Sequence, residues 1–568
     1  MREIVTVQVG GFANFIGSHF WNFQDELLGL AEDPNADEIF KNPLLDVDVL
    51  YRSGETHQGI LTYTPRLVSV DLQGTLGSMS SRGTLYNVDS QAASEVNTWR
   101  GTVSTHASEP HQKNLFLQSL EEEQNPTERK GKKIDSQREY QEKDIVECLE
   151  NGVKFWTDYS KVHYHPQSLY ELSGLWMDVE DFDNYGIGRE ALSSGHQEDI
   201  SERLRFFVEE CDHIQGFQFI VDDSGGFSAV AAEFLENIAD EYTNTPVLLY
   251  TARGPASYMN LGQKKHKVVR GLHDAVSFSR LSSLCKLIVP LGLPSLSRSK
   301  ASAYLSIKDE KPYHCSAVYA AALHSTSLPF RMQSVGRAAD SQDVSGAVSV
   351  SDLVEILSGN ARKNMVAILD MAMPAPSLSG RDVGQSMLGH LHPVTYEIAE
   401  DVEDSQAMET LNIHGVIGQG GHYASVSEVK DYIHAAYEHA NAMPKFCHLS
   451  VARTPLPIPL PFPRIFSSLV GGQGKLLGEP IAGSLSRGSV DVHSIPIGTR
   501  LRSSIAILPH LENRLTHLQR FGIQRGAAGS ELLRGWGFGR DELEEMGECL
   551  TRMVMELKPQ AIMSDDSD

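Results

Sequence analysis

Basic residues are scarce in this chain: 49 lysines and arginines stand against 74 aspartates and glutamates, a formal net charge of −25. That imbalance argues against non-specific binding to nucleic acid and against electrostatic docking on anionic lipid, and it suits basic partners. Cysteine is sparse as well. Cys148, Cys211, Cys285, Cys315, Cys447 and Cys549 never form a CxxC pair, which excludes a disulfide framework and a cysteine zinc site and fits a reduced, intracellular protein. No run approaches the roughly 18 consecutive apolar residues needed to span a bilayer. The N-terminus, a strand carrying Arg2 and Glu3, has the form of neither a secretory signal nor an Arg-rich presequence. GxSxG, HExxH and a P-loop lysine are missing too.

What is present is a long globular chain. Its 568 residues, 41% hydrophobic and 22% charged, can bury a large core in more than one domain. Ile4, Val5, Val7 and Val9 make a short apolar strand; Gly10 and Gly11 allow a sharp turn; Phe12, Phe15, Ile16, Phe20 and Trp21 then recur at helical spacing. Such a turn sets a helix N-terminus, with its free N–H groups, at a sheet edge where a phosphate can sit. A second unit follows. Ser201-Glu202 is expected to cap a helix carrying Leu204, Phe207, Val208 and Cys211, followed by a strand over Phe217–Val221, a helix over Phe227–Tyr242 and a strand over Val247–Tyr250. This βαβ pattern predicts a parallel sheet covered by helices on both faces. Further helices are expected at Ser316–Leu323 and, from Leu543, Met546, Leu550, Met553 and Leu557, near the C-terminus, where the apolar stripe should pack on the body.

Between these elements lie interruptions. Gln118–Glu147 is crowded with charge and reads as an insertion forming a solvated loop or frayed helix, and Asp178–Gln197 as a surface excursion. Five alternating prolines, Pro455 to Pro463, suggest a rigid connector or sheet edge. The pairs His163/His165 and His390/His392 lack a third ligand nearby and read as surface or loop histidines. Gly418–His422 has no strong strand before it and reads as a loop, and Ser564–Asp568 as an acidic tail.

Four stretches, in order, carry a resemblance: the opening segment, Tyr63-Thr64-Pro65-Arg66 with Leu67–Leu72, Asn97-Thr98-Trp99-Arg100-Gly101, and Cys211–Gln218 leading into Ser224–Val230. They resemble tubulin signatures, and within the tubulin/FtsZ superfamily the pattern most resembles the Misato family over nearly the full length, including Tyr313–Val318. The resemblance implies an α/β fold with a Rossmann-like N-terminal domain, a second α+β domain and C-terminal helices. The expected division is 1–117, an insertion at 118–147, 148–330, a second domain over 331–500 containing the 455–463 connector, and 501–568. It also implies a cytosolic protein, peripheral at the outer mitochondrial membrane, acting in mitochondrial distribution, morphology and fusion. Its partners would be fusion machinery, cytoskeleton or a chaperonin, with no nucleic acid. A GTP-binding switch and a microtubule or spindle factor are the alternatives.

The positions matching the nucleotide loops are Gly10, Gly11, Asn14, Gly225, Gly226 and Ser228. Where tubulins have GGGTGSG, this chain has Ser224-Gly225-Gly226-Phe227-Ser228-Ala229-Val230. Phe227 would set a ring beside the phosphates, and Asp222 with Asp223 would repel them in the absence of a cation. Three readings compete: glycines that only permit tight turns, GTP held without turnover, and GTP hydrolysis. The first is preferred, with no cofactor, no metal and no catalytic residue expected. Tubulin-type hydrolysis also needs an acidic loop; its candidate, Val350–Glu355, reads more simply as a helix capping box of Asp352 with Glu355.

Overall fold

The computed structural model describes residues 2–41, 44–55, 61–83, 111–124, 141–174, 181–193, 195–258, 264–333, 343–358, 364–378, 386–400, 402–440, 442–483 and 486–558. The Asn97–Gly101 motif, the middle of the charged insertion and the acidic tail lie outside them.

Six strands form the first sheet: β1 (Glu3–Val9), β2 (Leu67–Leu72), β3 (Leu169–Leu172), β4 (Ile214–Asp222), β5 (Val247–Ala252) and β6 (Leu287–Leu291). Their order is β3-β2-β1-β4-β5-β6 and every pairing is parallel. All seven residues of β1 are buried, as expected where helices cover both faces of a parallel sheet. The chain runs from β1 outward to β2 and β3, then returns beside β1 as β4 and continues the other way. The switch point of the sheet therefore falls between β1 and β4, where α/β folds place ligands.

On one side lies α1 (Gly11–Glu32), stopped by Asp33-Pro34 because proline cannot continue the ladder. It packs on α7 (Pro312–Arg331), which is buried on all sides from Tyr313 to Arg331 and shares its core with the second sheet. The predicted Ser316–Leu323 helix is thus only the middle of a much longer one. Its periodicity is invisible because it has no wet face. The other side carries α4 (His196–Glu209), α5 (Phe227–Glu241), α6 (Lys264–Leu284), α10 (Leu508–Leu518) and α11 (Arg540–Leu557). In α11 the expected stripe packs as predicted: Leu543, Met546, Leu550 and Leu557 are buried in the core beside α6 and α10, with Met553 partly buried.

The second sheet is mixed. In chain order its strands are β7 (Val344–Ser345), β8 (Ile368–Ala372), β9 (His392–Pro393), β10 (Met408–His414), β11 (Phe446–Ala452) and β12 (Ile497–Ser503), arranged β9-β8-β12-β10-β11-β7. Helices α8 (Val350–Ser358) and α9 (Val426–Glu438) accompany it. The two sheets are stitched by backbone bonds, Ile288 N–H to Met365 at 2.8 Å and Ala367 N–H to Ile288 at 2.9 Å.

Three expectations are corrected and a fourth is narrowed. The charged insertion is ordered at both ends: a helix covers Leu115–Gln124, and α2 (Glu142–Gly152) buries Ile145, Val146 and Leu149. Asp178–Gln197 is no surface excursion in its described part, since α3 (Tyr185–Ser193) buries Tyr185, Ile187 and Ala191. Helix α4 begins at His196 behind Gly195, and Cys211 lies past its end, so Ser201-Glu202 is no cap. Of the two alternatives for the proline strip, connector or sheet edge, the start of the strip takes the second. Leu456–Pro457 pairs with Ser494–Ile495, Leu456, Ile458 and Phe462 face the core, and the Pro461 carbonyl accepts the Tyr313 hydroxyl at 2.7 Å. The prolines are buried along with their apolar neighbours, Leu460 alone being half-buried, and lacking N–H groups they leave no donors to satisfy there.

Candidate functional site

The six positions named above converge at the switch point between β1 and β4. Gly10 ends β1 with φ 101°, a conformation that side chains resist, and its N–H reaches the Val70 carbonyl at 2.9 Å. Gly11 opens α1. Asn14, one turn on, is fully buried and acts as a brace: its amide donates to the Val70 carbonyl (3.1 Å) and to Asp71 Oδ2 (3.0 Å), and its oxygen accepts from Ser69 Oγ (2.8 Å).

Asp71 itself was not among the expected site residues. It also accepts from Trp156 Nε1 at 3.1 Å and from Leu72 N–H at 2.8 Å. Burial pushes its carboxyl up to about 6, against the pull of these donors. The available signal was a lone carboxylate closing the apolar strand β2 next to the first glycine turn. A raised folded pKa contributes stability that is complete below the unfolded value near 3.8 and lost as pH rises through about 6. Wild type should therefore lose about 3 kcal/mol relative to Asp71→Asn between pH 4 and pH 7.5, read from urea midpoints at the two pH values.

Across the crevice, the β4–α5 loop is filled by the chain itself. The Asp222 carboxylate accepts the Phe12 N–H of the first turn of α1 (3.3 Å), and also the N–H (3.1 Å) and hydroxyl (2.5 Å) of Ser224. Burial raises its pKa above the usual carboxylate range. One free amide at the start of α1 thus already has an anion. Gly226 N–H, at the start of α5, donates to the Phe182 carbonyl at 3.1 Å. A Cβ on Gly225 would lie 2.2 Å from that same carbonyl oxygen, and one on Gly226 2.8 Å from the Phe182 ring. The Phe182 and Phe227 rings meet edge to face at 4.7 Å, and Phe227 lies under Gly10, where a Cβ would stand 2.7 Å from its ring. Burying a phenylalanine contributes about 2 kcal/mol. Ser228 turns inward, its hydroxyl on the Gly225 carbonyl (2.9 Å) and on Ser277 Oγ (2.8 Å).

These residues do not fit a triphosphate in this arrangement. A phosphate cradle needs free N–H groups and empty space in front of its glycines. Here the Phe12 and Gly226 amides are spent on Asp222 and Phe182, and the space before Gly225 and Gly226 holds the Phe182 backbone and ring.

The condition set on the aspartate pair is met in part, because a cation accompanies Asp223. Arg253, just past β5 and 2% exposed, bonds Asp223 through Nε (2.5 Å) and Nη2 (3.1 Å) and reaches Asp274 at 2.9 Å. Arg270 adds a bond to the Ser224 carbonyl at 3.0 Å. Burial would raise the Asp274 carboxyl, but Arg253 and Arg270 outweigh it and hold it below the usual range. Arg253 also lies 5.2 Å from the centre of the Tyr396 ring, so the loop is tied to the segment that follows β9 of the second sheet.

The remaining candidates are engaged in contacts of their own. In α8 the box is Ser349 with Asp352, not Asp352 with Glu355: the Asp352 carboxylate accepts Ser349 N–H at 2.9 Å and Asp352 N–H reaches Ser349 Oγ at 3.2 Å, while Val350 and Val354 are buried. His165 stacks on Phe206 at 4.8 Å and His390 on Tyr304 at 6.4 Å, so both rings pack on neighbouring aromatics. Gly418–His422 is a loop, but β10 does precede it, ending at His414.

Residues 2–122 match the Misato Segment II tubulin-like domain, and residues 147–332 match a tubulin domain. Among curated proteins, the chain is similar to Protein misato homolog 1 of Mus musculus, 30% identical with 97% of each chain covered. It is likewise similar to Protein misato homolog 1 of Homo sapiens, 32% identical over 68% of this chain and 67% of that one. Protein DML1 of Gibberella zeae is 28% identical over 66% of this chain and 68% of its own.

Proposed function

The chain belongs to the Misato family of tubulin-like proteins, and from that premise we propose a tubulin-like factor that neither binds nor hydrolyses GTP and works by presenting its surfaces to protein partners. The observation that carries this reading is the occupied cradle: Asp222 and the Phe182 carbonyl take the amides a nucleotide would need. Its setting, on this proposal, is the cytosolic face of the outer mitochondrial membrane, in the distribution, morphology and fusion of mitochondria, with fusion machinery, cytoskeletal proteins or a chaperonin as partners. No helix among the described residues is long and apolar enough to cross a membrane, so attachment through a partner suits the reading.

Purified chain, denatured and chromatographed, is expected to release no guanine nucleotide, and its thermal midpoint is expected to stay unchanged with GTP and magnesium. A ligand at about 100 times its Kd adds about 2.7 kcal/mol to stability, so a binder would shift the midpoint measurably. Release of stoichiometric GTP or GDP would replace this proposal with a GTP-binding switch. For the cellular role, acute depletion is expected to alter mitochondrial networks before spindles; spindle defects appearing first would favour a microtubule function.

A further inference from the structure

A narrow cleft opens away from the switch point, between the last turns of α1 and the stretch from Leu45 to Tyr51. Leu28, Leu45 and Val47 line it half-buried, with Leu27 and Leu50 deeper. Arg331, at the end of α7, also lines it and is 4% exposed. Its guanidinium donates to the Gln24 side chain and, at 3.4 Å each, to the Ser327 and His324 carbonyls. No carboxylate of the described residues pairs with it. Arg253 has Asp223, Arg514 has Glu397, and Arg500 and Arg502 share Asp370. The Tyr51 hydroxyl, on the same wall and 3% exposed, has no hydrogen-bond partner.

The charges around this guanidinium do not neutralise it. Gln24 also bonds His324 at 2.9 Å, and the His324 ring lies 5.7 Å from that of His414. Burial keeps both imidazoles neutral, His414 pushed down to about 3, and burial lowers Arg331 itself to about 9. Asp46 on the rim spends its carboxylate on the Asp48 N–H at 3.1 Å, and Asp25 faces Lys161 at 3.2 Å. A buried cation without a counter-charge costs several kcal/mol. It persists here at the floor of an apolar cleft, beside an orphan hydroxyl that can donate.

From this charge complementarity we infer that the cleft receives an aspartate or glutamate side chain, flanked by apolar residues, from a protein partner. Size narrows the choice. At about 50 Å³ the cleft is far below the roughly 300–1,000 Å³ of small-molecule sites, yet it holds a carboxyl-bearing side-chain tip. Leu28, Leu45 and Val47 then cover the apolar neighbours, and Arg331 with Tyr51 supplies charge-assisted donors. The inference rests on the scaffold reading above only for its purpose; its failure would leave the nucleotide result standing.

Random peptides displayed on phage and selected on the full chain provide the test, with Arg331→Met as counter-selection. Enriched peptides are expected to carry Asp or Glu beside Leu, Ile, Phe or Met. Changing that acid to its amide should weaken binding to the wild-type chain by at least about tenfold, as for a lost charge-assisted bond. Leu28→Asp, which sets a rival carboxylate on the rim, should weaken it similarly. Purified Arg331→Met should keep its thermal midpoint or raise it, because the charge serves the partner rather than the fold. No enrichment, binding that survives the amide change, or peptides that bind Arg331→Met equally well would overturn the inference. So would a marked fall in the Arg331→Met midpoint, which would make the guanidinium a structural group.

Discussion

Asp370→Ala is expected to destabilise the chain by about 3–5 kcal/mol. Asp370 is fully buried at the centre of β8, and two arginines of β12 converge on it: Arg500 Nη2 and Arg502 Nε each approach Oδ2 at 2.7 Å. The register explains the convergence: Asp370 lies opposite Arg500, and Arg502, opposite Ile368, is two positions further along β12 and so on the same face. Alanine would leave both guanidinium groups with one remaining acid nearby, Glu409 at 3.6 Å from Arg500. The pH dependence has a definite sign. Burial alone would raise the Asp370 carboxyl, but Arg502 and Arg500 outweigh it and hold it below the ordinary 3.8. A depressed pKa contributes stability that is present above the unfolded value and lost as pH falls through the folded one. The advantage of wild type over Asp370→Asn should therefore be flat from about pH 5 to pH 8 and collapse below about pH 4, as read by urea unfolding.

Gly10→Ala should cost about 2–6 kcal/mol, from two separable sources. Backbone strain at φ 101° contributes about 1–3 kcal/mol, because that region is nearly closed to residues with a Cβ. Overpacking adds about 1–3 kcal/mol, since the new methyl would sit 2.7 Å from both Asp222 Cβ and the Phe227 ring. Pairing Gly10→Ala with Phe227→Ala separates the two. Removing the ring relieves its share of the collision but neither the Asp222 contact nor the strain, so the double mutant should be more stable than additivity predicts, by about 1–2 kcal/mol. Additive behaviour would place the Phe227 ring away from Gly10 and reopen the question of a cradle there. Chemical denaturation of the four proteins provides the measurement.

Several features were legible in the residues alone because their signal is local. The β1–Gly10–α1 turn, the β4–α5–β5 unit and the α11 stripe each declare themselves through periodicity within one short window. The misreadings share a different cause. α7 shows no amphipathic period because both of its sides are buried, and α3 looks polar because its inward residues are few and spaced among charges. In the proline strip, the backbone argument was sound but said nothing about where Leu456 and Phe462 would point. Asp352 was recognised as a capping residue with the wrong partner, since the true N-cap, Ser349, lies three residues before it.

By itself the order of residues determined four strands of the first sheet and their parallel sense, the place of the two glycine turns and the kinship with tubulins, all of which rest on local pattern. It could not decide what the glycines are for, because a missing Cβ makes room equally for a phosphate or for another stretch of the same chain. Only the tertiary structure brings Phe182 against Gly225 and Gly226, Asp222 against the Phe12 amide, and Arg253 against Asp223. Each of those contacts joins residues 30 or more positions apart, so the donors they satisfy look free until the chain has folded.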